Sequence, residues 1–224
     1  MYLLARVTLR LLLIIVSLIA ASTASAGTIT IDTTPGTSFQ GPFGEPPASP
    51  FFGQTITPPL GADLLTSFTF FLERGSNDPV VFQGVVVEWD PSSFQPTGPD
   101  LFLSGLQSTA GSAALQTFQF GPLAIPVDPA KQYLLLLSAV SDGVPAIAAA
   151  PQRGDNPLPG GQFVISNDGQ SWFTGTSASG VYDLAFIADF TTTVPEPSYR
   201  FILAIGCLLY LAVQQYGRRR SLSS

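Results

Sequence analysis

The chain contains no histidine and one cysteine, Cys207, which lies in an apolar run near the C-terminus. The first absence excludes Ser-His-Asp and Cys-His catalysis and metal sites built on imidazole. The second leaves the rest of the chain without a disulfide or a thiol nucleophile. Cations are scarce as well. Arg6, Arg10, Arg200, Arg218, Arg219 and Arg220 all belong to the two ends. That leaves Arg74, Lys131 and Arg153 in residues 27–193 against 14 acidic residues there, a formal charge of −11. Nucleic acid and anionic lipid repel such a surface, because both are bound by clustered cations. Excess carboxylate suits solubility, divalent cations, or a neutral or cationic polymer. Long amphipathic helical patterns are also missing from residues 27–193.

The two ends have a different composition. Arg6 and Arg10 precede an apolar stretch over 11–21, and Ala24-Ser25-Ala26 supplies the small residues after which a signal peptidase cuts, leaving Gly27 first. Residues 1–26 are therefore expected to be a secretory signal peptide; the competing expectation is a retained N-terminal anchor. At the other end stand Val194-Pro195-Glu196-Pro197-Ser198, an apolar run over 201–213, and the triplet Arg218-Arg219-Arg220. A Pro-Glu-Pro step continues neither a helix nor a sheet, so it stays extended and accessible. The apolar run would hold it at a membrane surface, with the arginines on the cytoplasmic side. As a helix, 201–216 spans about 24 Å at ~1.5 Å per residue, against ~30 Å of hydrocarbon. Arg200 can snorkel outward, and Tyr199 and Tyr216 can sit at the interfaces, so a span over about 200–217 is predicted.

This tail resembles the PEP-CTERM sorting signal of exported bacterial surface proteins, over residues 194–220. The resemblance implies recognition of Pro195, Glu196 and Pro197 by a membrane-embedded exosortase and removal of the hydrophobic tail. Arg200, Gln214 and Gln215 depart from the commonest pattern. An uncleaved single-span anchor is the alternative expectation. Three segments follow: a leader over 1–26, an exported domain over 27–193, and the sorting tail over 194–224.

Within the exported part, strand signals dominate. Alternation is clearest over 64–73, with Phe68, Phe70 and Leu72 on one face. It recurs over 182–190, with Leu184, Phe186 and Phe190 opposite Asp183 and Asp189. Further strands are predicted over 28–33, 80–89, 101–104, 114–120, 133–140, 162–166 and 170–174. Asn167-Asp168-Gly169 joins the last two as a tight hairpin, where glycine supplies the positive φ. The Gly- and Pro-rich stretch 35–59 reads as loops and a short edge strand covering one end. About nine short strands with turn punctuation predict an all-β fold, an antiparallel β-sandwich of the jelly-roll kind.

The succession Gln54-Thr55-Ile56, Leu65-Thr66-Ser67-Phe68, 85–90, Pro126-Val127-Asp128-Pro129, Asp168-Gly169-Gln170-Ser171-Trp172 and Tyr182-Asp183-Leu184 resembles the surface β-sandwiches called choice-of-anchor domains. That resemblance implies a fold and an extracellular place, and no reaction.

Three groupings bear on chemistry. Glu88 and Asp90 point to one face of a predicted strand with Trp89 on the other, and paired carboxylates are what glycoside hydrolysis uses. Side chains two apart on a strand are also common solvent decoration. Asp155, Asn156, Asn167 and Asp168 offer oxygen ligands for a structural calcium, yet Asn and Asp are equally turn residues. Trp172, Phe173 and Tyr182 flank the hairpin and are candidates for stacking against sugar rings, while large aromatics more commonly fill cores. The expectation is a non-enzymatic structural or adhesive domain of the cell envelope or extracellular matrix, without cofactor. Its partners would be an exosortase-type enzyme, a signal peptidase and a membrane. A module binding exopolysaccharide through Trp172 and Tyr182 is the alternative, followed by a glycan-cleaving enzyme using Glu88 and Asp90.

Overall fold

A computed structural model describes residues 27–109, 114–141, 143, 145–174, 176–177 and 180–192. The expected leader, sorting tail and membrane span lie outside these residues. Among the described residues there is no helix, and hence none long and apolar enough to cross a membrane. The strands are β1 (Thr28–Asp32), β2 (Ser38–Gly44), β3 (Phe51–Ile56), β4 (Leu64–Arg74), β5 (Val81–Asp90), β6 (Gln95–Leu103), β7 (Gln107–Ser108), β8 (Gln116–Phe120) and β9 (Ile125–Pro126). They continue with β10 (Gln132–Ala139), β11 (Ile147–Arg153), β12 (Gln162–Ser166), β13 (Trp172–Thr174), β14 (Thr176–Ser177), β15 (Gly180–Val181), β16 (Asp183–Leu184) and β17 (Phe186–Thr191).

Two antiparallel sheets face each other. The eight-stranded sheet has the order β1-β17-β4-β11-β16, with β2 on β11 and β8 and β9 on β4; the seven-stranded sheet runs β13-β12-β3-β10-β5-β6, with β7 on β5. Phe68, Phe70, Leu72 and Phe186 from the first sheet and Phe52, Phe82, Leu135 and Phe163 from the second are all buried in one core. Period-2 alternation produces this, since every second side chain of a strand points to the same face. Aromatic rings fill this core: Phe82 meets Phe118 across the two sheets at 4.9 Å, and within the sheets Phe52 meets Phe163 edge-on at 5.1 Å and Phe68 stacks on Phe120 at 4.6 Å. At ~150–250 Å² buried per ring, such a core holds Gly27–Thr193 together as one unit without a covalent staple.

Two expectations need correction. The stretch 35–59 is not a set of covering loops: it supplies β2, and its β3 lies between β12 and β10 in the middle of the seven-stranded sheet. Proline and glycine hid the alternation of Phe52, Gln54 and Ile56. Gly53 is there because Leu134 lies against it, and a Cβ would come within 2.5 Å of Leu134 Cδ1. The second correction concerns residues 182–190, which form two strands. β16 pairs with β11, and β17 pairs with β4 and β1. Buried Thr33 satisfies the break, its Oγ1 donating to Leu184 O and accepting from Phe186 N. Asp183 is consequently buried, away from the solvent face predicted for it. β11, rich in alanine and lacking strand propensity, escaped the sequence reading altogether.

Candidate functional site

The ends of the domain come together. β1 and β17 pair from Thr28 opposite Thr191 to Asp32 opposite Ile187. Beyond the ladder, Gly27 N donates to Thr192 Oγ1 at 3.1 Å and Thr192 N donates to Gly27 O at 3.0 Å. The Asp189 carboxylate accepts from Thr30 Oγ1 and from Ser67 Oγ, each at 2.7 Å, so one side chain ties β1, β17 and β4. The residue expected to follow the Ala24 to Ala26 cleavage motif is thus bonded to the residue two positions before Val194. Pro195, Glu196, Pro197, Arg218, Arg219 and Arg220 lie outside the described residues.

The two rings expected to stack on sugars belong to different clusters. Tyr182 is half-buried against the main core, and its carbonyl accepts from Phe163 N at 2.8 Å, linking the two sheets. Trp172 lies on the outer face of the seven-stranded sheet, 8% exposed. There it packs with Trp89, Val87, Leu134 and Val164, joined at the margin by Phe51 and Phe94. Its Nε1 donates to Gly169 O at 3.3 Å. Gly169 has φ 72°, the positive value expected of the hairpin turn.

The candidate carboxylates are each engaged locally. Glu88 forms an ion pair with Lys131 at 2.7 Å. Asp90 accepts from Ser92 Oγ at 2.6 Å, Ser93 Oγ at 2.8 Å and Ser92 N at 2.8 Å. Those donors, the Ser92 hydroxyl foremost, hold the Asp90 carboxyl down at about 2. Asp168 closes the hairpin, accepting from Ser171 N at 2.6 Å and Gln170 N at 2.8 Å, and these backbone donors hold it at about 2. Asp155 pairs with the Arg153 guanidinium, whose hydrogen bonds lower its pKa. Asn167 Oδ1 accepts from Ser49 Oγ at 2.7 Å. Among the described residues no three acidic side chains converge on one point.

Sequence reasoning missed the most buried polar assembly. Asp183 and Gln54 are both 0% exposed and bridge the two sheets. Gln54 Nε2 donates to Asp183 Oδ1 at 2.6 Å, Leu158 N donates to Oδ2 at 3.0 Å, and the Asn156 amide nitrogen donates to Oδ2 at 3.0 Å. Gln54 Oε1 in turn accepts from Leu184 N at 2.8 Å. Burial raises the Asp183 pKa despite the donors from Leu158 and Gln54. The available signal was an amide and a carboxylate at inward positions of otherwise apolar segments. Comparison of the chain with protein-family models and with curated proteins returned no match.

Proposed function

We propose that this is an exported protein of the cell envelope or extracellular matrix, delivered by the leader 1–26 and sorted through a PEP-CTERM-type tail over 194–224. Its acidic sandwich, of the jelly-roll kind, serves a structural or adhesive role without catalysis. One observation supports this reading above the others: Gly27 and Thr192 are hydrogen-bonded neighbours. A domain with a membrane segment at each end must deliver both chain ends to one bilayer surface, and these two ends leave the fold at one point. The arginines at 6 and 10 and at 218–220 place the far end of each segment on the cytoplasmic side under the positive-inside rule, so both segments meet the domain on the same, outer side. An excess of carboxylate keeps such a domain clear of anionic lipid while it waits at the membrane.

Mass spectrometry of the C-terminus of protein recovered from its native envelope tests the reading. The expected product ends within residues 194–198. A variant carrying Pro195→Ala and Pro197→Ala should retain Arg220 and stay in the membrane fraction. An intact Arg220 in the unaltered protein, with the same distribution in the double variant, would overturn processing and sorting together.

A further inference from the structure

Both tryptophans of the chain lie in the cluster on the outer face of the seven-stranded sheet. A sheet face turned away from the core of an antiparallel sandwich is ordinarily polar. This one is apolar, and its own aromatic rings cover it. Trp89 is 3% exposed and meets Trp172 edge-on, with ring centroids 5.7 Å apart at 83°. Phe94 meets Trp89 edge-on at 5.1 Å and 82°.

Two independent features set the cluster apart from ordinary packing. Trp89 Nε1 is buried with no hydrogen-bond partner, although leaving such a donor unpaired costs about 1–3 kcal/mol. Phe94, half-buried at the end of the turn between β5 and β6, holds φ at 57°, where a residue with a Cβ is strained by about 1–2 kcal/mol. Asp90 pins Ser92 and Ser93 in that turn, and its grip stops one residue short of Phe94. The ring packed edge-on against Trp89 is therefore carried by a residue whose backbone gains by moving, and Trp89 itself carries a donor that gains by finding an acceptor.

We propose that Phe94 is the movable cover of a binding site for a neutral β-linked pyranose chain, with a sugar ring replacing the Phe94 ring against Trp89 and one of its oxygens accepting from Trp89 Nε1. A wholly apolar ligand leaves that N–H unpaired. An anionic ligand meets a domain of formal charge −11. A β-linked pyranose with equatorial substituents combines an apolar C–H face for the indole with oxygens at its rim. The closed state carries the burial of Phe94, so apparent affinity is reduced by the fraction of molecules that are open.

Tryptophan fluorescence reads this site alone, because the chain has two tryptophans and both are in it. The full chain, in a zwitterionic detergent, is titrated with cellohexaose and with chitohexaose. Expected is a saturable change with at least one of them, tightened about tenfold in Phe94→Gly, where glycine takes the positive φ freely and the cover is gone. Trp89→Phe should weaken binding about tenfold by removing the N–H while keeping a ring. Phe94→Asn, which tolerates the same φ, serves if the glycine variant fails to fold by circular dichroism. No fluorescence change with either sugar at millimolar concentration in a folded Phe94 variant overturns the proposal. So does an affinity that Phe94 substitution leaves unchanged.

Discussion

Asp183→Ala is expected to lower the melting temperature of the domain by roughly 10 °C, on the order of 3 kcal/mol, read by circular dichroism. The substitution leaves Gln54 Nε2, Leu158 N and the Asn156 amide facing a site that is 0% exposed, with no acceptor to replace Oδ1 and Oδ2. Each stranded donor costs about 1–3 kcal/mol, and water has no ready access to repair the loss. Because Gln54 belongs to β3 and Asp183 to β16, the damage falls where the two sheets are joined.

The same carboxyl gives a pH signature. Burial raises its pKa in the folded protein above the unfolded value, so the fold holds this proton more tightly than the unfolded chain does. The resulting stability is complete below the unfolded pKa and is lost as pH rises through the folded value. The neighbouring charges act in opposite directions, Asp155 raising and Arg153 lowering the Asp183 pKa. Asp183→Asn removes the titration, so the unaltered protein should gain on this variant as pH falls from neutrality toward the unfolded carboxyl pKa. Asp32, Asp90 and Asp168 have lowered pKa values and lose their contributions on acidification. Those losses are common to both proteins and cancel in the difference. Parallel melting curves for the two across that pH range would refute the assignment.

Gly84→Ala is expected to destabilise the domain by about 3 kcal/mol through overpacking. A Cβ at Gly84 would lie 2.5 Å from Phe120 Cε1 and 2.6 Å from Cδ1. The ring cannot retreat easily, since Phe120 is 3% exposed and stacked on Phe68 at 4.6 Å. Adding Phe120→Ala to this variant should therefore cost less than Phe120→Ala costs in the unaltered protein. A coupling of about 1–2 kcal/mol in thermal or denaturant unfolding is the expected result. Strict additivity would mean that the ring is not what excludes a side chain at Gly84.

These sites show how far the sequence could be read. The phenylalanine alternation of β4 and the Asn167-Asp168-Gly169 turn were legible because both signals are local: a period of two sets the face, and a glycine permits φ 72°. β3 was not legible, because Gly53 breaks its pattern for the sake of Leu134, 81 positions further along the chain. Trp89 and Trp172 could each be read as core or as surface, and both prove buried in a second cluster that faces away from the main core. Their strands, β5 and β13, are separated in the sheet by β10, β3 and β12, and no spacing along the chain announces that the two rings meet.

Composition alone determined the missing imidazole, the missing thiol outside Cys207 and the −11 charge of residues 27–193, since these are counts that folding cannot change. Residue order determined the β character, through alternation that any strand must express. Tertiary structure decided which polar groups went inside and which chain ends met. Asp183 finds Gln54 across 129 residues, and Gly27 finds Thr192 across 165. Such partners are set by strand order and register, which depend on the packing of both sheets at once and leave no local trace.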